Sequence, residues 1–140
     1  MKKACALFFL LLLIVSSNAT SGQSYLCQPK KVYSVDGSGD LITSILEEGL
    51  KLGQYVFDTN TAQMSFRRDG EILKEYDYEI VQPAGTHVAL VAVHHLQKLN
   101  RRGIEMLTIY VGKKGMPFRL VFADNLVLGN CRIGSDTDTD

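Results

Sequence analysis

The sequence predicts a mainly all-β protein, a small antiparallel barrel or sandwich of about seven or eight strands with one short helix, closed by a disulfide between its N- and C-terminal regions. Three observations predict it. Beyond Gly53 the apolar residues recur with a period of two, as in Tyr76, Tyr78 and Ile80 against Asp77 and Glu79. Turn-forming clusters such as Asp58-Thr59-Asn60-Thr61, Asp69-Gly70 and Gly112-Lys113-Lys114-Gly115 interrupt that alternation at short intervals. Cys27 and Cys131 stand near the two ends of the patterned region, and an oxidising compartment would pair them.

The chain opens with an export pattern. Lys2 and Lys3 precede an uncharged run from Ala4 to Val15, and the small residues Ser17 and Ala19 follow with the spacing of a cleavage site. The run is shorter than the roughly 20 residues that a membrane-spanning helix needs. Residues 1–19 are expected to be a cleaved signal peptide, 20–134 a single β domain and 135–140 a disordered acidic tail. Cys5 leaves with the signal. The expected location is outside the cytoplasm, periplasmic or secreted.

The elements follow in order. Tyr25 to Val35 reads as a first strand, turned by Asp36-Gly37-Ser38-Gly39. Leu41, Ile42, Ile45, Leu46 and Leu50 then recur at helical spacing, with Ser38 or Asp40 placed to cap a short helix. Tyr55/Phe57 and Met64/Phe66 flank a turn and form a hairpin. Tyr76 to Ile80 is a strand wet on one face. Pro83 and Gly85 break the chain, and His87 to Leu96, apolar on both faces, reads as a central strand. Ile104–Val111, the Phe118/Leu120/Phe122 alternation and Leu126–Ile133 complete the set. Sequential hairpins of this kind make an antiparallel meander. A barrel is favoured over a sandwich, because closure would bring first and last strands together at the two cysteines.

Composition narrows the function. Lys+Arg and Asp+Glu number 15 each, and loss of Lys2 and Lys3 leaves the mature chain two charges negative. Nothing there suggests nucleic acid as a partner, and no second long apolar stretch suggests a membrane span. No cofactor is expected.

Candidate chemistry is sparse. His94 and His95 are neighbours on a strand and point to opposite faces, while His87 and His95 lie about 26 Å apart at roughly 3.3 Å per residue. No Gly-x-Ser-x-Gly elbow exists, and pairing Cys27 with Cys131 leaves no free thiol for a Cys–His arrangement. The protein is therefore expected not to be an enzyme. Asp36, Ser38, Asp40 and Glu47 fall at positions 1, 3, 5 and 12 of a loop resembling that of the EF-hand family, with oxygen ligands spaced to wrap Ca²⁺. Leu41, however, stands where that loop needs its glycine. Four basic doublets, Lys30-Lys31, Arg67-Arg68, Arg101-Arg102 and Lys113-Lys114, sit at or beside turns and would make a cationic rim if they shared one end of a barrel.

The Tyr25-x-Cys27 spacing on a first strand, with the partner cysteine on the last, resembles the small periplasmic inhibitors of C-type lysozyme. That resemblance implies a compact antiparallel barrel with a terminal disulfide. The chain is longer than those inhibitors and lacks their inhibitory loop.

The leading expectation is a non-enzymatic binding or interaction protein of the cell envelope, an inhibitor of a secreted protein being one form of it, acting through loops or an edge strand on a protein partner. The alternative is a lipocalin-like carrier of a small apolar ligand. An eight-stranded barrel can just hold one, and Tyr76, Tyr78, Met106, Phe118 and Phe122 could line the space. A Ca²⁺-dependent module built on residues 36–47 is the third.

Overall fold

The computed structural model describes residues 22–85, 88–98 and 101–134. The expected signal peptide, His87 and the acidic tail lie outside the described residues.

Among the described residues ten strands form one antiparallel sheet: β1 (Ser24–Val35), β2 (Leu41–Thr43), β3 (Gln54–Asp58), β4 (Gln63–Arg68), β5 (Glu71–Asp77), β6 (Glu79–Gln82), β7 (Leu90–Lys98), β8 (Arg101–Ile109), β9 (Pro117–Phe122) and β10 (Asn125–Ile133), with a short helix α1 (Glu47–Lys51). Nine of them follow one another in the order β5-β4-β3-β1-β10-β9-β8-β7-β6, and β2 pairs off that path with β1. One sheet curling on itself makes a nearly closed barrel rather than a sandwich.

The two ends of that order are consecutive in sequence, and only Tyr78 separates them. Glu71–Gln82 is in effect one run of extended chain that changes partner. Its first half pairs with β4 and its second half with β7. The period-two pattern through Tyr76, Tyr78 and Ile80 is continuous across the switch, so the sequence reads as one strand what hydrogen bonding divides into two. The corner is held from both sides. The Tyr78 N–H donates to the Ala62 carbonyl, 2.8 Å away, from a turn in which Ala62 takes a left-handed φ of 54°. On the other side His94 Nδ1 lies 2.6 Å from the Asp77 carbonyl oxygen. A carbonyl can only accept, so that ring nitrogen carries the proton.

First and last strands meet as expected. Cys27 and Cys131 are directly opposite in the β1–β10 ladder and form a disulfide, their Cα atoms 3.9 Å apart across 104 positions of sequence. A link across so long a loop removes roughly 4.7 kcal/mol of unfolded-state freedom in the chain-entropy model.

The core is the inward face of each strand. Tyr25 and Cys27 on β1, Phe57 on β3, Met64 on β4, Leu90 and Ala92 on β7, Leu107 and Ile109 on β8, Phe118 and Leu120 on β9, and Val127 on β10 are all nearly inaccessible. Burying each large apolar side chain contributes roughly 1.5–3 kcal/mol. On β10 the inward position between Val127 and Cys131 is Gly129. A Cβ there would fall 2.0 Å from the Gln28 carbonyl oxygen and 2.6 Å from Phe118 Cε1, so only glycine lets β1 and Phe118 approach.

Along β1 the inward set changes parity, from Tyr25 and Cys27 to Val32, because the β10 register shifts between Pro29 and Lys31. On the other side of β1, residues 24–27 pair with β3 and 33–35 with β2. The helix occupies the gap between them. The Glu47 carboxylate accepts the Val32 N–H at 2.9 Å, and the Gln28 amide donates to the carbonyls of Lys51 and Gly53 at the helix's far end, both at 2.9 Å. A buried N–H without a ladder partner would cost about 1–3 kcal/mol, which the carboxylate averts. The helix is thus much shorter than the 41–50 spacing predicts. Leu41 and Ile42 belong to β2, the N-cap residue is Leu46 without a side-chain cap, and neither Ser38 nor Asp40 caps it.

Candidate functional site at the barrel mouth

At the end where β4 turns into β5, the barrel interior opens into a cavity of about 240 Å³. Strands β3 and β4 supply its floor with Tyr55, Met64 and Phe66. Leu46 and Leu50, before and within α1, form one wall. Leu73, Lys74 and Tyr76 of β5 form another. Facing them are Glu105 of β8 and Leu120 and Phe122 of β9. The placement follows from strand alternation: Tyr76 and Lys74 pair with Met64 and Phe66 on the inward face, and Glu105 shares its parity with Leu107 and Ile109.

The surroundings are mostly apolar and aromatic. Tyr55 and Phe66 pack with ring centroids 4.8 Å apart. Below the opening, the Tyr78 hydroxyl donates to Glu105 Oε2 at 3.2 Å. The His94 ring packs against Tyr76 and Tyr78, at 5.4 and 5.5 Å. Burial raises the Tyr55 phenol well above the ordinary tyrosine range, with lesser contributions from Tyr76 and the Glu105 charge. Burial does the same to Tyr78, reinforced by Glu105. Both hydroxyls stay neutral donors at any physiological pH. The half-buried Glu105 is thus oriented from below by Tyr78, and Lys74 stands exposed on the same lining.

The five residues expected to line a ligand space are only partly brought together. Tyr76 and Phe122 line the cavity. Tyr78 is buried beside it. Phe118 is fully buried in the core and lies outside the lining. Met106 is displaced altogether: it pairs with Val93 and Val121 on the outer face, because Glu105 and Leu107 take the inward positions. Sequence reading passed over Glu105, although a carboxylate at the inward parity of Leu107 and Ile109 is the signal that finds it. Lys74, Leu73 and the helix leucines carry no such signal. They reach the mouth through the partner switch at Tyr78 and the gap in β1, which are tertiary features.

The proposed calcium loop is not assembled. Asp36 Oδ1 accepts the N–H groups of Ser38 and Asp40 at 2.8 and 3.0 Å, which makes an ordinary turn between β1 and β2. Glu47 is instead buried on Val32, hydrogen-bonded to Lys51, with Lys31 3.9 Å away. The Lys51 hydrogen bond, then the Val32 N–H, hold its carboxyl below the usual carboxylate range. Among the described residues no group of three or more His, Cys, Asp or Glu side chains could hold a metal. The basic doublets do not share one rim either: Arg67-Arg68 leads into the β4–β5 turn, and Lys113-Lys114 lies in the β8–β9 turn at the opposite end. His94 faces inward and His95 faces Glu79 outside, 3.9 Å away. Among the described residues no helix is long and apolar enough to cross a membrane.

No family model, curated protein or solved structure matches this chain.

Proposed function

We propose that this protein is an exported, non-catalytic binding module whose barrel mouth takes up one small, largely apolar molecule. The observation that carries the reading is the cavity of about 240 Å³, walled by aromatic and aliphatic side chains on a disulfide-tied scaffold. Apolar pockets with a few convergent polar groups are the usual form of small-molecule sites. An engineered apolar cavity of about 150 Å³ accepts benzene, so this one accommodates a single ring with a short chain. Native mass spectrometry of the exported protein against its denatured mass tests the reading. A defined excess mass that disappears on Leu50→Trp, which fills the mouth, supports it. Equal masses, together with no uptake of any added single-ring compound, overturn it.

A second reading, an interaction protein, has one observation in its favour. Leu41, Ile42, Ile45 and Leu46 leave a run of exposed apolar side chains beside the mouth, with Ile45 98% exposed. Exposed apolar patches of this kind mark contact surfaces. Crosslinking in the native envelope, lost on Ile45→Lys while cavity binding is retained, distinguishes it from the carrier.

A further inference from the structure

We propose that the ligand of this mouth is a small organic amine, its ammonium held by Glu105 and its body by the aromatic walls. The inference rests on the binding reading above and adds the chemical class. Among the described residues Glu105 is the one carboxylate of the lining. It is half-buried and faces the interior at the parity of buried Leu107 and Ile109. A carboxylate in such a place is costly to desolvate unless it has donors. The Tyr78 hydroxyl supplies one, to Oε2. No side chain of the lining holds an ammonium or guanidinium within ion-pair distance of it: among the described residues no salt bridge involves Glu105. A primary amine entering the mouth would meet that carboxylate as a charge-assisted donor, about twice as strong as a neutral hydrogen bond.

Four aromatic rings line the same space: Tyr55, Phe66, Tyr76 and Phe122. Aromatic faces attract cations and repel anions, the more so where the contact is desolvated. Both Tyr55 and Tyr78 remain neutral, so neither adds a competing charge. Lys74 argues the other way, since it could pair with an anion. It is exposed on a flexible stem, where water and salt screen its charge more than that of the half-buried carboxylate. The cavity volume of about 240 Å³ fits a ring bearing a short aminoalkyl arm.

The test is titration calorimetry on the oxidised full chain with three probes of one shape: 2-phenylethylamine, 2-phenylethanol and phenylacetate. The inference expects the amine to bind at least tenfold tighter than the alcohol and the carboxylate to bind weakest. Glu105→Gln, which keeps an acceptor for Tyr78, is expected to bring the amine down to the alcohol's affinity, and Lys74→Met, which removes a cation from the lining, to widen the amine's lead over phenylacetate. Equal binding of amine and alcohol overturns the amine assignment while the carrier reading stands. So does tightest binding by phenylacetate that Lys74→Met abolishes. Binding of none of the three overturns the carrier reading together with this inference.

Discussion

Two side chains show how single residues decide this fold. Glu47 sits almost wholly out of solvent, yet its carboxylate is matched on each oxygen, by the Val32 N–H and by Lys51. Its carboxyl is held below the usual range, chiefly by Lys51, so the folded state binds that proton less readily than the unfolded chain. Such a group contributes stability that is present above the unfolded value, about 4.3 for glutamate, and lost as pH falls through the lower folded value. Urea unfolding followed from pH 6 down to pH 3 should show this loss. Glu47→Gln keeps an acceptor for Val32 but removes the charge, and is expected to flatten that pH dependence while lowering stability at pH 6. An unchanged acid slope would mean that other carboxylates carry it. Gly129 makes the opposite case, a residue that works by having no side chain. Gly129→Ala places a methyl group against the Gln28 carbonyl and Phe118, and overpacking of this kind costs roughly 1–3 kcal/mol. A lowered urea midpoint with unchanged slope is the expected signature.

At the scale of elements, the strands were legible and the way they are joined was not. Period-two alternation and Gly/Asp/Asn turns are local, so the Tyr55–Phe66 hairpin, the inward Phe118/Leu120/Phe122 face and the turn after Val35 all stand where the pattern puts them. The helix was overextended because Leu41, Ile42, Ile45 and Leu46 repeat at helical spacing while remaining largely exposed. Their spacing reflects a surface, and periodicity cannot tell a surface from a packed face. What positions α1 is non-local: a stretch of β1 with no strand on one side, closed by Glu47 at one end and Gln28 at the other. Removing the Gln28 amide should therefore loosen the helix more than the sheet. In Gln28→Ala, amide exchange at Leu50 and Gly53, whose N–H groups bond within the turn, is expected to speed up relative to β9 and β10. Equal acceleration in all three places would instead indicate global destabilisation. The same limit explains the site. Glu105 was readable from parity, whereas Lys74 and Leu73 join the lining only because the Glu71–Gln82 run leaves β4 for β7 at Tyr78.

For the whole molecule, closure rests on one covalent and one hydrogen-bonded seam. The disulfide fixes β1 to β10, and the Tyr78 corner joins the two ends of the sheet order. The covalent seam bears on the unfolded chain. Cys27→Ser with Cys131→Ser is expected to cost roughly 2–5 kcal/mol, read as a lower urea midpoint that reduction of the wild-type protein reproduces. The Tyr78 seam bears on the alkaline limit. Burial raises the phenols of Tyr55 and Tyr78 above their ordinary value, which is about 10 in the unfolded chain. A group whose folded value is raised keeps its full contribution below the unfolded value and loses it as pH rises beyond, because only the unfolded state then releases the proton. The protein should hold its stability up to about pH 9 and lose it steeply above about pH 10. Tyr78→Phe removes one of the two phenols and leaves Glu105 without its donor. It is expected to be less stable at pH 7 and to show a shallower alkaline decline. Burial raises the Tyr25 phenol as well; should the decline keep its full slope in Tyr25→Phe, Tyr55→Phe and Tyr78→Phe alike, the buried phenols are not its origin, and the barrel interior must admit water at the mouth more freely than its packing implies.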